Sequence, residues 1–255
     1  MFRTQYDSDV TTFSPQGRLH QIEYAMEAVK QGSTAIGLKS ETHAIVVTLL
    51  RSSSDLSSYQ QKIFKVDENI GIAIAGLTAD ARVLLKYMQN ETLNHKYVFE
   101  SPMSVEKLVS QIADKSQIHT QRYGKRPYGV GLLVIGHDKS GVHLFETSPS
   151  GNYFNYYAQA IGSRAQSAKT YLEKNFENFK KLSLDDLIFH GLTAIKESSS
   201  KEVLTKDNCS VGIVGVDTPF KFLEKDKLEK FLERVQPQDD LDDMDLNNDN
   251  QMNID

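Results

Sequence analysis

Two stretches of this 255-residue chain, 129–135 (Gly-Val-Gly-Leu-Leu-Val-Ile) and 210–216 (Ser-Val-Gly-Ile-Val-Gly-Val), are apolar almost without a break. A strand with one wet face alternates apolar and polar residues, whereas unbroken runs of this length belong to strands covered on both faces. The same composition in 34–39, 44–50, 62–66 and 70–75 predicts four more strands, the last two joined by the turn-forming Asp67-Glu68-Asn69.

Helical stripes fall between the strand groups. Thr78 is placed to cap a helix carrying Val83, Leu84, Tyr87 and Met88; Ser104 opens another with Val105, Leu108, Val109 and Ile112. A third carries Ala165, Ala168, Leu172, Phe176 and Phe179. Ser183 caps a fourth, with Leu184, Leu187, Ile188, Leu192 and Ile195 facing inward. Asp226 and Glu229 suggest a box-like cap for a last helix bearing Leu228, Phe231, Leu232 and Val235. Paired helices between groups of doubly buried strands imply sheets enclosed by helical layers. Residues 1–235 read as one domain, because no linker or repeat divides them.

Ahead of the strands, Pro15 and Gly17 punctuate a turn, and Leu19, Ile22, Met26 and Val29 then recur at helical spacing until Gly32, which fits a left-handed helix end. The block Phe13-Ser14-Pro15-Gln16-Gly17-Arg18, with Gln21-Ile22-Glu23-Tyr24-Ala25, resembles the N-terminal signature of proteasome core-particle α-subunits. The segments Gly32-Ser33-Thr34-Ala35-Ile36-Gly37, Ala75-Gly76-Leu77-Thr78-Ala79-Asp80-Ala81-Arg82 and Arg126-Pro127-Tyr128-Gly129-Val130 are similar to the same family. Ser8 departs from it, standing where the family often carries Arg. The resemblance implies an α+β fold, the four-layer αββα sandwich of N-terminal-nucleophile hydrolases, with 1–31 as gating tail and leading helix.

Composition bounds the alternatives. Residues 236–255 hold seven aspartates and no Lys or Arg, so the rest carries a net +2 against −5 for the whole chain. Bulk charge therefore gives no support for nucleic-acid binding. The Asp/Asn/Gln-rich tail is too polar to offset chain entropy and is expected to be disordered. A single cysteine, Cys209, excludes an internal disulfide and suits a reducing compartment. The first residues lack a secretory apolar region and no run is long enough to span a bilayer, so a cytoplasmic and nuclear protein with no membrane partner is expected.

In the N-terminal-nucleophile fold, the first residue of the mature chain is nucleophile and its free α-amine is the base. By the resemblance, that nucleophile position falls at Ser33, where 32 residues precede it and the nitrogen is a non-basic amide. The position of the acid that orients the site falls at Leu49 or Leu50, and neither can hold a proton. Lys62 remains at the lysine position. No catalytic residue is expected. The rival reading, cleavage after Gly32 to expose Ser33 or Thr34, would not restore the acid. A free-standing adaptor is the third. Cys209, within an apolar strand, reads as a structural thiol, and neither histidine spacing nor a Gly-rich phosphate loop suggests a metal or cofactor.

The resemblance moves function to surfaces. It places Lys62, with Glu23, Gly32 and Leu77, in a pocket between neighbouring subunits that receives the C-terminal carboxylate of activator tails. There a buried apolar face at Leu77 would hold penultimate side chains, and Gly32 would admit a backbone. It places Tyr6, Asp7, Pro15 and Tyr24 in a cluster that holds the gate open, with residues before Tyr6 crossing the pore. From sequence alone, Lys62 is an exposed strand-end charge and Tyr6 and Asp7 are loop residues. The implied partners are six paralogous α-subunits in a heptameric ring, the β-ring subunits, and the regulatory ATPase particle and other activators, in ubiquitin- and ATP-dependent degradation.

Overall fold

The computed structural model describes residues 6–52, 56–199 and 203–236. The acidic tail beyond Gln236, and the residues before Tyr6, lie outside them.

Two five-stranded antiparallel sheets form the centre. In the first, β1 (Ala35–Lys39) lies between β2 (His43–Leu49) and β8 (Ala158–Ile161), and β9 (Cys209–Gly215) and β10 (Thr218–Phe222) extend it beyond β2. The second runs in the order β3 (Ile63–Asp67), β4 (Ile70–Gly76), β5 (Val130–Asp138), β6 (Gly141–Thr147) and β7 (Tyr153–Asn155). The strand pairs predicted from apolar runs are present within a few residues. Strands β6, β7, β8 and β10 were not predicted: they are short or half-wetted, and their sequences carry no unbroken apolar run.

Alternation along each strand explains the layering. Ile45 and Val47 of β2 face one way, into a core with helices α4 (Ala165–Phe179), α5 (Leu184–Ser199) and α6 (Lys225–Val235). Ala44 and Val46 face the other way, against Ala73, Ala75, Leu133 and Ile135 of the second sheet. That sheet turns Ile70, Ile72, Ile74, Leu132 and Val134 outward onto helices α2 (Thr78–Phe99) and α3 (Val105–Gln121). Three apolar seams thus bind four layers, helices–sheet–sheet–helices, the arrangement the family resemblance implied. The inter-sheet seam relies on small residues. A Cβ on Gly71 would stand 1.9 Å from the Phe220 ring, so the ring lies where a side chain would otherwise be.

Several predicted local details are corrected. Val83 and Phe176 fit helical stripes but are 53% and 49% exposed, beyond the edge of the buried face. Thr78 is the first residue of α2 and makes no capping bond. The first amide of α3, Val105 N–H, donates to Asp138 Oδ2 at 3.0 Å, and Ser104 Oγ donates to the same oxygen, so the cap arrives from β5. At α6 the cap position is Glu224, and Glu229 pairs instead with Lys206. Ser183 does cap α5: its Oγ accepts from Asp186 N–H and donates to Asp186 Oδ2.

Helix α1 (His20–Gln31) lies across strands β4 and β5, and its Val29 packs at the end of the inter-sheet seam. The predicted stripe is only partly buried: Met26 is 42% exposed and the buried residue is His20. The turn before it is built as its sequence suggests. Gly17 N–H donates to Ser14 O, Ser14 N–H to Arg18 O, and Gly17 takes φ +76°, where glycine is favoured although a Cβ would find open space.

Candidate functional site

Where α1 hands the chain to β1, Gly32, Ser33 and Thr34 meet the loop after β8. Ser163 N–H donates to Gly32 O at 2.6 Å, and Thr34 Oγ1 donates to Ser163 O at 2.5 Å. Ser33 is buried. Its hydroxyl donates to the backbone carbonyl of Leu49 at 2.7 Å, one step from the ladder bond of Leu49 N–H to Thr34 O. In this chain the Ser33 hydroxyl is committed to a backbone carbonyl, and its nitrogen is a peptide amide rather than a free amine. Leu49 itself is buried among the apolar residues under α5, and Leu50 follows at the end of β2.

Lys62 enters from the start of β3. Its carbonyl accepts from Ile74 N–H, which places it across the sheet from the segment Ile74–Gly76 that leads to Leu77. The residue is 3% exposed, not the exposed strand-end charge that sequence alone suggested. Its ammonium has no carboxylate or hydrogen-bond partner among the described residues. Burial, with the Arg51 guanidinium adding like charge, pulls its pKa down to about 8.

The structure brings Gly32 and Leu77 together through Gly76, but for reasons other than those expected. Gly32 has φ −65°, so left-handed freedom is not what it supplies. A Cβ there would stand 2.2 Å from Gly76 N: the backbone that glycine admits is the chain's own. In the single chain Leu77 is 48% exposed, held by its N–H donating to Gly129 O. Glu23, on α1, is clamped by Arg18 through two hydrogen bonds of 2.6 Å.

Of the residues expected to form a gate cluster, Asp7 and Tyr24 meet within one chain, with Tyr24 O–H donating to Asp7 Oδ2 at 3.1 Å, and Gln21 Nε2 donates to Asp7 O. Pro15 is exposed in the Ser14–Arg18 turn, and Tyr6 is half-buried. Val10, 2% exposed, pins the segment to the body. Asp9 accepts from the Thr11 hydroxyl and from Thr11 N–H at 3.2 Å, which closes the leading segment on itself.

The loop that leads into β5 has an anchor the sequence did not reveal. Asp80, in the first turn of α2, accepts from Arg126 at 2.6 and 2.8 Å and from Gly129 N–H at 2.9 Å. The Arg126 hydrogen bonds, foremost among the causes, hold its carboxyl below the usual carboxylate range. Asp80 and Arg126 stand in two of the segments singled out by resemblance, but only folding shows that they pair. Elsewhere, burial pushes the Cys209 thiol up to about 12, which keeps it protonated and unreactive. No group of three or more His, Cys, Asp or Glu suited to a metal occurs among the described residues. Nor is any described helix long and apolar enough to cross a membrane.

Two face-packed antiparallel sheets between helical layers, with Ser33 at the nucleophile corner, are those of the N-terminal-nucleophile hydrolase sandwich. Comparison with known proteins defines the family within it. The family model for proteasome subunits matches residues 29–214, and the N-terminal signature model of the proteasome A-type subunits matches residues 6–28. The chain is 59% identical over 234 residues to the alpha type-1 proteasome subunit of Dictyostelium discoideum, covering 91% of this chain and 94% of that one. It is 51% identical over 234 residues to the alpha type-6 proteasome subunit of Saccharomyces cerevisiae (91% and 100%) and 47% over 236 residues to the alpha type-1 protein of Caenorhabditis elegans (92% and 91%). The chain belongs to the α-subunits of the proteasome core particle.

Proposed function

We propose that this chain is a non-catalytic subunit of the α-ring, assembled with six paralogues and apposed to the β-ring subunits. It gates substrate entry and docks the regulatory ATPase particle and other activators in ubiquitin- and ATP-dependent degradation, in cytoplasm and nucleus. The observation that carries the reading is the Ser33 hydroxyl, buried and hydrogen-bonded to Leu49 O where a hydrolase of this fold needs a free N-terminal nucleophile. Apolar side chains left open, Phe13 on the turn, Tyr24 and Met26 on α1, and Leu77, support assembly with further subunits. The lone unreactive thiol fits a reducing compartment.

Ser33→Ala in the assembled core particle is expected to leave peptidase turnover unchanged. It should lower the chain's own stability by about 1 kcal/mol, the usual loss for one buried hydrogen bond. Turnover that falls with Ser33→Ala, or a mature chain whose mass begins at Ser33, would overturn the non-catalytic reading.

Docking draws its support from Lys62. Burying an ammonium without a counter-ion destabilises a fold, so a residue retained only for stability would not be lysine here. An activator's C-terminal carboxylate supplies the missing charge. Lys62→Met keeps the volume and removes the cation. Activator binding should weaken about tenfold or more, the value of a charge-assisted bond of about 1.5–3 kcal/mol, while assembly is retained. Unaltered binding, measured by titrating activator onto the variant particle, would remove the pocket.

A further inference from the structure

Lys62 is not the only cation at this corner that lacks a counter-ion among the described residues. Arg51 follows β2 by two residues, and its backbone carbonyl accepts from Gln60 N–H at 3.1 Å, which fixes it beside the segment entering β3. Its guanidinium is exposed and donates to Ser163 Oγ at 3.3 Å. Ser163 is itself tied to Gly32 and Thr34, so the guanidinium is held against the rim formed by the α1–β1 junction. It makes no ion pair with a carboxylate among the described residues. Two cations, one on a buried residue and one on the rim, stand at this corner with no carboxylate beside either among the described residues.

We propose that Arg51 is a second anion-binding residue of the Lys62 pocket: its rim guanidinium, positioned by Ser163, captures the α-carboxylate of an incoming tail and shares it with the buried ammonium. The inference rests on the docking reading of Lys62 and adds to it a residue and a charge requirement. A planar guanidinium orients a carboxylate as a lone ammonium cannot, and at the rim it meets the ligand before desolvation. It also sets how the pocket responds to pH. Repulsion from Arg51, added to burial, brings Lys62 down to about 8, so affinity for a carboxylate falls as pH rises through that value. Arg51 remains charged throughout and retains part of the binding above it. Arg51 is the charged group among the described residues whose field lowers the Lys62 pKa.

The test uses assembled core particle and labelled peptides copying the C-termini of the regulatory ATPase subunits, each as free acid and as C-terminal amide. The informative peptide is one whose free acid loses binding to Lys62→Met particle. On that peptide Arg51→Gln should weaken binding roughly three- to tenfold at pH 7, as expected for a partly solvated charge-assisted contact. Removing the like charge should also move the midpoint of the pH-dependent loss upward. Arg51→Lys should keep most of the affinity and the original midpoint. Should Arg51→Gln not assemble, Arg51→Met carries the same charge removal. Unchanged affinity, or weaker binding with an unmoved midpoint, would overturn the role of Arg51 while leaving docking at Lys62 intact. If no peptide distinguishes Lys62→Met from the parent particle, both readings fall together.

Discussion

Gly32→Ala is expected to be among the most damaging single substitutions in this chain. The added methyl would sit 2.2 Å from Gly76 N and 3.0 Å from Ala75 C, and both neighbours are backbone. A flexible side chain can rotate away from an intruding methyl; a strand locked in a ladder cannot. Gly76 itself has φ +111°, and a Cβ there would meet Gly129 O at 2.3 Å, so the three segments interlock through bare backbone. We expect a loss of about 3 kcal/mol or more, at the upper end of what overpacking costs. For a chain of this size that corresponds to roughly 6–12 °C in thermal midpoint. Incorporation into core particle should fall in parallel, since the displaced strand leads directly to Leu77. Gly17→Ala is the control. It has open space and only a positive φ to accommodate, so it should cost about 1 kcal/mol. Thermal unfolding of the two variants side by side measures the difference, and equal losses would refute the backbone contact as the cause.

The second large effect is expected at Asp80. Its carboxylate holds Arg126 through two bonds and Gly129 through a third, and thereby the loop that leads into β5. Asp80→Asn keeps the shape but replaces one acceptor by a donor facing donors. A loss of about 2–3 kcal/mol follows from the strength of hydrogen bonds to charged groups. The sign with pH is fixed by the depressed pKa of Asp80. Stability from this clamp is present above the carboxylate's unfolded value of about 3.9, and is lost as pH falls through the lower folded value. The gap between parent and variant should therefore be constant near neutrality and close below about pH 4. A gap that does not close in acid would mean the clamp acts through shape rather than charge.

These two sites show where residue-by-residue reading stops. A stripe such as Leu187, Ile188, Leu192 and Ile195, or an unbroken run such as 129–135, records an environment averaged over many neighbours, and such patterns placed the main strands and helices correctly. A cap borrowed from another element leaves no local trace. Asp138 serves α3 from 33 residues away, so Ser104 took the credit in sequence. Likewise Lys62 reads as an exposed charge because the layers that bury it are distant in the chain. Arg51 carries no sequence signal at all, since its partner Ser163 lies 112 residues on.

By itself, then, the sequence determined the layered α+β architecture, the turn-and-helix signature before it, and the 32 residues that stand ahead of Ser33, because each depends on local periodicity or on chain position. Only the tertiary structure decided that Gly32 is glycine for packing rather than for φ, that the Ser33 hydroxyl is spent on Leu49, and that Lys62 is a buried residue with no acid beside it among the described residues. The physical reason is common to all three: a clash, a hydrogen bond and a desolvated charge are properties of pairs of segments, and no single segment encodes its partner.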